Sequence, residues 1–244
     1  GNTGREVTYE IGNLNTNTTY SGGFSVANGI NLTKVGTGTL TLDGNLGTIA
    51  GTTNNNTAGT VRIRNGTLAL AGNADLTTAQ NIIIEATGTL NVAGYTANPI
   101  YSTGAGNTLA ATPIPQTVGG NGTIVGNYQH DEGNLRPGLT ANIGATLTFA
   151  NNLVLGSAGA SNMQIIQDIT PSLTTGNDKL QVNGTLTIAD FGAVTVNFLG
   201  GASTGDYVIA ESVNPIVDAA KLSGWTVNWG ARGASPTLSV DGTS

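Results

Sequence analysis

Gly38-Thr39-Leu40-Thr41-Leu42-Asp43-Gly44 is the stretch on which the fold turns. Leu40 and Leu42 alternate with Thr39 and Thr41, the period of a strand with one buried face, and glycines bracket the run. Its opening tripeptide recurs as Gly66-Thr67-Leu68, Gly88-Thr89-Leu90, Gly122-Thr123-Ile124 and Gly184-Thr185-Leu186, with a variant at Gly144-Ala145-Thr146-Leu147. Spacings of about 22 to 40 residues are in the range of repeat architectures. A strand this short cannot bury its apolar face alone. Stacked on copies of itself it can, and the copies then share one core.

The same grammar extends outward. Val7, Tyr9 and Ile11 lie on one face of an N-terminal strand, with Glu6, Thr8 and Glu10 on the other. Further alternating runs are Phe24-Ser25-Val26, Ile30 to Val35, Thr60 to Arg64, Asn81 to Glu85, Thr146 to Phe149 and Leu153 to Leu155. Met163 to Ile169, Lys179 to Val182, Thr185 to Ile188 and Ala193 to Phe198 continue the series. Asn-Gly pairs at 28–29, 65–66, 121–122 and 183–184 are expected to supply positive φ at tight corners. Pro99, Pro113 and Pro115 mark 95–117 as an irregular loop within the array. One short helix is expected from Pro215 to Leu222, with Asn214 as N-cap and Gly224 as its stop. Strands at Trp225 to Trp229 and Thr237 to Val240 complete the chain.

These patterns predict an all-β domain built as a parallel β-helix, a solenoid. Helix-forming stretches are too few for βαβ crossovers, so parallel pairing must come from strand-turn-strand coils. About ten coils at ~4.8 Å each give a length on the order of 50 Å. The whole of 1–244 reads as one domain, with an N-terminal strand region at 1–20, stacked coils at 21–210 and a C-terminal helix and strands at 211–244. The competing fold is a Greek-key sandwich, which also uses short strands and turns.

Composition bounds the function. Charged residues are 9% of the chain, against about 25% in ordinary globular proteins. With 38% hydrophobic residues in alternating runs, a core can still form. The net charge of −6 and eight scattered Lys and Arg leave no basic stripe for nucleic acid or an anionic membrane surface. No run approaches the ~18 apolar residues of a transmembrane helix, so no membrane insertion is expected. Cysteine is absent, which excludes disulfides and thiolate metal sites. The only Met is Met163 and the chain starts at Gly1, which fits either a trimmed chain or a mature protein freed of its signal peptide.

Lys34-Val35-Gly36-Thr37-Gly38-Thr39-Leu40-Thr41-Leu42-Asp43-Gly44-Asn45 resembles the autotransporter-associated β-strand repeat of bacterial surface proteins. Ile11-Gly12-Asn13-Leu14-Asn15 and Thr19-Tyr20-Ser21-Gly22 resemble the lead-in to that repeat. Gly122-Thr123-Ile124-Val125-Gly126, Leu135-Arg136-Pro137-Gly138, Asp178 to Val182 and Gly205-Asp206-Tyr207-Val208-Ile209 resemble the later part of such passengers. The resemblance implies a right-handed β-helix displayed outside a bacterial cell. It is specific to architecture and location, not to an activity. These passengers carry a C-terminal membrane barrel of at least eight strands, and no such region is read here. Either the barrel was cut away or this relative is secreted free and assembles by itself.

Candidate chemistry is sparse. His130, Asp131 and Glu132 form the densest polar cluster, with His130 as a conceivable general base. The competing and preferred reading is a solvated turn flanked by Gly126 and Gly133. Arg62 and Arg64 share a strand face that could meet acidic sugars, as in β-helical polysaccharide lyases, but no acidic cluster is seen to accompany them. The alternative is an outward charged face. Asp168, Asp178, Asp190 and Asp206 are scattered singly, and no calcium-binding repeat is present. Asn54-Asn55-Asn56 reads as a polar loop, and Asn17 and Asn31 open sequons expected by chance in so Asn- and Thr-rich a chain. The sequence predicts no catalytic, cofactor-binding or metal-binding residue.

The function expected is that of a non-enzymatic extracellular structural protein, a self-assembling subunit of a bacterial surface fibre or sheath. The partner is then a second copy, head to tail. The alternatives are an adhesin passenger, with a host or cell-surface polysaccharide as its partner, and a polysaccharide-active enzyme. The expected contact joins Val7, Tyr9 and Ile11 at one end to Trp225, Val227 and Trp229 at the other, as strand addition anchored by aromatics.

Overall fold

Alternation of Thr with Leu, Ile or Val becomes strand over most of the described residues of a computed structural model of the chain. The model describes residues 7–23, 30–44, 46, 59–98, 100–102, 115–139, 144–157, 163–190, 192–199, 205–229 and 237–241. In chain order the strands are β1 Val7–Ile11, β2 Thr18–Tyr20, β3 Ile30–Lys34, β4 Thr39–Asp43, β5 Thr60–Gly72, β6 Asn81–Tyr95 and β7 Tyr101–Ser102. Next come β8 Thr117–Gly120, β9 Thr123–Val125, β10 Tyr128–His130, β11 Gly133–Pro137, β12 Thr146–Phe149 and β13 Leu153–Leu155. The last are β14 Met163–Ile169, β15 Lys179–Val182, β16 Leu186–Ile188, β17 Ala193–Phe198, β18 Ala210–Ser212 and β19 Thr226–Trp229.

The described strands pair in parallel, which excludes the antiparallel Greek-key alternative. They fall into three rows. The first runs β1, β3, the front halves of β5 and β6, then β8, β11, β14, β17 and β19. The second runs β2, β4, the back halves of β5 and β6, then β9, β12, β15 and β18. These two rows make one 15-stranded sheet, because β5 and β6 bend from one row into the other at a register shift between Ile63 and Asn65. The third row is the four-stranded sheet β7, β10, β13, β16. From β8 onward the chain visits the rows in strict rotation, and Val217 bridges back to Thr187 of β16 before β19 begins.

The register explains the repeat. Leu40, Leu68, Leu90, Ile124, Phe149 and Val182 stand directly over one another in the second row. Leu40, Leu42, Leu68, Leu70, Leu90, Val92, Leu186 and Ile188, all expected inside, are between 0 and 3% exposed and share one apolar cluster. Full burial of each such side chain contributes about 1.5–3 kcal/mol. Single-file stacking is why a motif recurring at unequal spacing still makes one core: the turns vary in length while the strands keep register.

Several expectations change. Gly184-Thr185-Leu186 does not continue the second row; Leu186 begins β16 and lies in register with Leu153 of the third. The first row is nine strands deep and the second eight among the described residues, not ten, which gives roughly 40 Å of stacking at ~4.8 Å per step. Of the described Asn-Gly pairs, Gly66 has the positive φ expected (64°). Gly122 instead serves close approach: a Cβ there would sit 2.5 Å from the Glu85 carbonyl oxygen and 2.6 Å from that of Gly88. The expected helix is a 3-10 turn at Ala219–Gly224, capped by Asp218 in the left-handed region rather than by Asn214. Thr237–Val240 carries no strand pairing, although Leu238 packs against the core. The loop at 95–117 supplies Tyr101–Ser102, the first strand of the third row; Pro99 and Pro113 lie outside the described residues, as do Phe24-Ser25-Val26, Asn54-Asn55-Asn56 and the Asn-Gly pair at 28–29.

Candidate functional site

The first layer, β1 with β2, presents core-facing side chains that stand well exposed. Val7 is in register with Ile30 and Tyr9 with Leu32; Ile30 and Leu32 are buried, so the same side of β1 faces inward. Yet Val7 is 38% and Tyr9 40% exposed. Tyr20, in register with buried Leu42, is likewise 36% exposed, and Leu14 in the turn between the strands is 85% exposed. Ile11 packs partly against the core. Among the described residues β1 pairs β3 alone and β2 pairs β4 alone, so each has one open edge. Tyr20 joins this face, and the 22-residue spacing between Thr18-Thr19-Tyr20 and Leu40-Thr41-Leu42 is the sequence signal for it.

Side-chain amides hold this layer on. Asn15 Oδ1 accepts the Thr37 N–H at 2.9 Å and Asn17 Oδ1 the Thr39 N–H at 2.8 Å. Asn31 Oδ1 does the same for Thr60 at 2.9 Å and Asn152 Oδ1 for Thr185 at 2.9 Å. Each asparagine accepts from the backbone of the next layer, Asn31 from within β3 and the others beside strand ends. Lys34 seals the adjoining corner from inside: its buried Nζ donates to the carbonyls of Val35 (2.7 Å), Gly36 (2.8 Å) and Asn65 (3.1 Å). Burial lowers its pKa.

At the other end the three expected residues separate. Trp225 is buried within its own chain, its Nε1 donating to the Asp190 carbonyl at 3.1 Å, and its ring packed over Gly192. It caps the 3-10 turn and cannot anchor a partner. Val227 is half-buried in β19, in register with Val194. Trp229 is in register with Val196; its side chain lies outside the described ones. Among the described residues β19 pairs β17 alone and β18 pairs β15 alone. The outward Asn228 donates through Nδ2 to Thr195 Oγ1 at 3.2 Å.

The polar candidates resolve differently from expectation. His130 is fully buried at the end of β10, not in a solvated turn. Burial pushes its pKa down to about 4, against a raising hydrogen bond with the Gly133 backbone. Arg62 and Arg64 do have an acidic partner: Glu85 Oε1 lies 2.7 Å from Arg62 and 3.9 Å from Arg64. Arg62 and Glu85 edge a shallow cleft of about 350 Å³ that also touches Asn121 and Leu139. Asp168 and Asp178 are not scattered but adjacent. Asp178 accepts the Ala145 N–H (2.9 Å) and the Asp168 N–H (3.2 Å), while Asp168 takes Arg136 (3.1 Å) and Asn197 (2.8 Å). Burial raises the Asp178 pKa to about 6. Among the described residues no three His, Cys, Asp or Glu side chains gather at one point.

No family model matches the chain, and no curated protein or solved structure matches it at a significant level.

Proposed function

We propose that the chain winds as a right-handed parallel β-helix and serves, without catalysis, as an extracellular structural subunit that assembles with its own copies into a bacterial surface fibre or sheath. One observation carries the assembly: Val7, Tyr9 and Tyr20 face the core direction yet stand exposed on a layer with open strand edges. Exposed apolar positions on a terminal strand of a parallel row form a template for another chain. The rotation of successive strands through three parallel rows supports the helical winding, and the right hand is the one the repeat resemblance implies. Bacterial surface location likewise rests on that resemblance.

The same arrangement disfavours the polysaccharide-active alternative. His130 is sealed from solvent, and Arg62 is engaged by Glu85, so neither is poised as an exposed base. The test is light scattering across a concentration series, with electron microscopy of the same samples. Growth of filaments is the expected result. A monomer that persists at high concentration overturns the assembly, and cleavage of pectin or alginate that is lost in Arg62→Ala overturns the non-enzymatic reading.

A further inference from the structure

Resting on that self-assembly, we infer which edges meet: β19 of one copy pairs, in parallel, with β1 of the next, so that the first row runs on unbroken from copy to copy. Three observations select this contact. Both strands belong to the same row, run in the same direction and lie at its opposite ends, each with one open edge among the described residues. A second copy translated along the stack therefore brings them together with no change of strand direction.

Side-chain parity then fixes the register. Val7 and Tyr9 take inward positions in β1, as Val227 does in β19, since Val227 follows buried Val194. Setting Val227 opposite Val7 brings the backbone of Trp229 opposite Tyr9, so the exposed Val7 and Tyr9 come to lie within the contact.

The polar side agrees. In this register Asn228 stands opposite Thr8. An outward polar line already climbs the row there, diagonally from Gln164 to Thr195 and then in register from Thr195 to Asn228. Thr8 extends it by another hydroxyl, the group Asn228 bonds in Thr195. No like charges are opposed: Thr226, Asn228 and Thr8 are neutral, and Glu10 lies one step past Trp229 in this alignment. Trp225, sealed in its own subunit, takes no part.

A subunit with one donor edge and one acceptor edge forms a heterologous contact, which propagates instead of closing into a two-fold pair. The chain has no cysteine, so a cross-link test starts from zero background. Thr8→Cys combined with Asn228→Cys changes two exposed side chains, and opposed strand positions lie within disulfide reach. Under mild oxidation this double variant should give a ladder of covalent oligomers on a non-reducing gel, whereas each single variant stops at monomer and dimer. A control pair, Thr8→Cys with Glu211→Cys, should give no ladder. If wild type scatters as filaments but the Thr8–Asn228 pair gives no ladder, or the control gives an equal one, the edge assignment is wrong while assembly stands. If wild type stays monomeric, assembly itself fails and the edge assignment with it.

Discussion

Asp178 and His130 pull stability in opposite directions over the same pH range, and single variants should expose each. Asp178 is buried beside Asp168, with Arg136 facing the pair; its pKa is raised to about 6 from an ordinary 3.8, chiefly by burial. His130 is buried at the end of β10, its pKa lowered to about 4 from 6.5, again by burial. In the folded chain Asp178 binds its proton at a pH where the unfolded chain has released it. Its contribution is therefore present below about pH 4 and is lost as pH rises through about 6. For His130 the unfolded chain takes up the proton near 6.5 and the folded chain holds it off until about 4. Its contribution is present above 6.5 and is lost as pH falls. Each displacement spans roughly two pH units, or about 3 kcal/mol at ~1.4 kcal/mol per unit. In wild type the two nearly cancel between pH 4 and 6. His130→Gln leaves the Asp178 effect alone, so relative to wild type the protein should lose about 3 kcal/mol as pH rises across that window. Asp178→Asn, which keeps a carbonyl oxygen for the Ala145 N–H, should gain about as much over the same rise. The measurement is urea unfolding followed by circular dichroism at half-unit pH steps, with the slope against pH read rather than the absolute stability. Parallel pH profiles for wild type and both variants would refute the reasoning.

Two further outcomes follow from single buried groups. The Tyr128 hydroxyl is buried with no hydrogen-bond partner among the described residues, so Tyr128→Phe should raise stability by about 1 kcal/mol in thermal or urea unfolding. Lys34→Met fills a similar volume but strips three carbonyls of their donor, and should cost about 3 kcal/mol or more in the same assay.

The parallel, all-β character was legible because its signal is local. Leu40 and Leu42 announce a one-sided strand within five residues, and recurrence of that unit implies stacking on itself. The third row left little trace, since Tyr101–Ser102 and Tyr128–His130 are too short to alternate convincingly and carry no Gly-Thr-Leu lead. Gly184-Thr185-Leu186 looks like the other recurrences, so the motif alone does not tell the third row from the second. The polar groups were misread for a related reason. His130 sits beside Asp131 and Glu132 in sequence, yet its inward strand position buries it. Glu85 reaches Arg62 across 23 residues and Asp168 reaches Arg136 across 32, distances at which sequence proximity is silent. At the N-terminal end Val7, Tyr9 and Ile11 were readable from alternation alone. At the other end alternation places Trp225 and Val227 on one side, but it could not show that Trp225, the extended cap of the 3-10 turn, is buried within its own chain.

The single-file register has a mechanical consequence. Leu68, Leu90, Ile124, Phe149 and Val182 follow one another in register, so force applied along the chain meets one layer at a time. Removing an end layer leaves the pairing of the layer beneath intact, and the molecule yields by successive peeling. Successive register positions are 22 to 34 residues apart, and an extended residue spans roughly 3.5 Å, so each yield should lengthen the chain by roughly 80 to 120 Å. A fibre made of such subunits would absorb a sudden load as a train of small extensions, with most of its layers still in place after each.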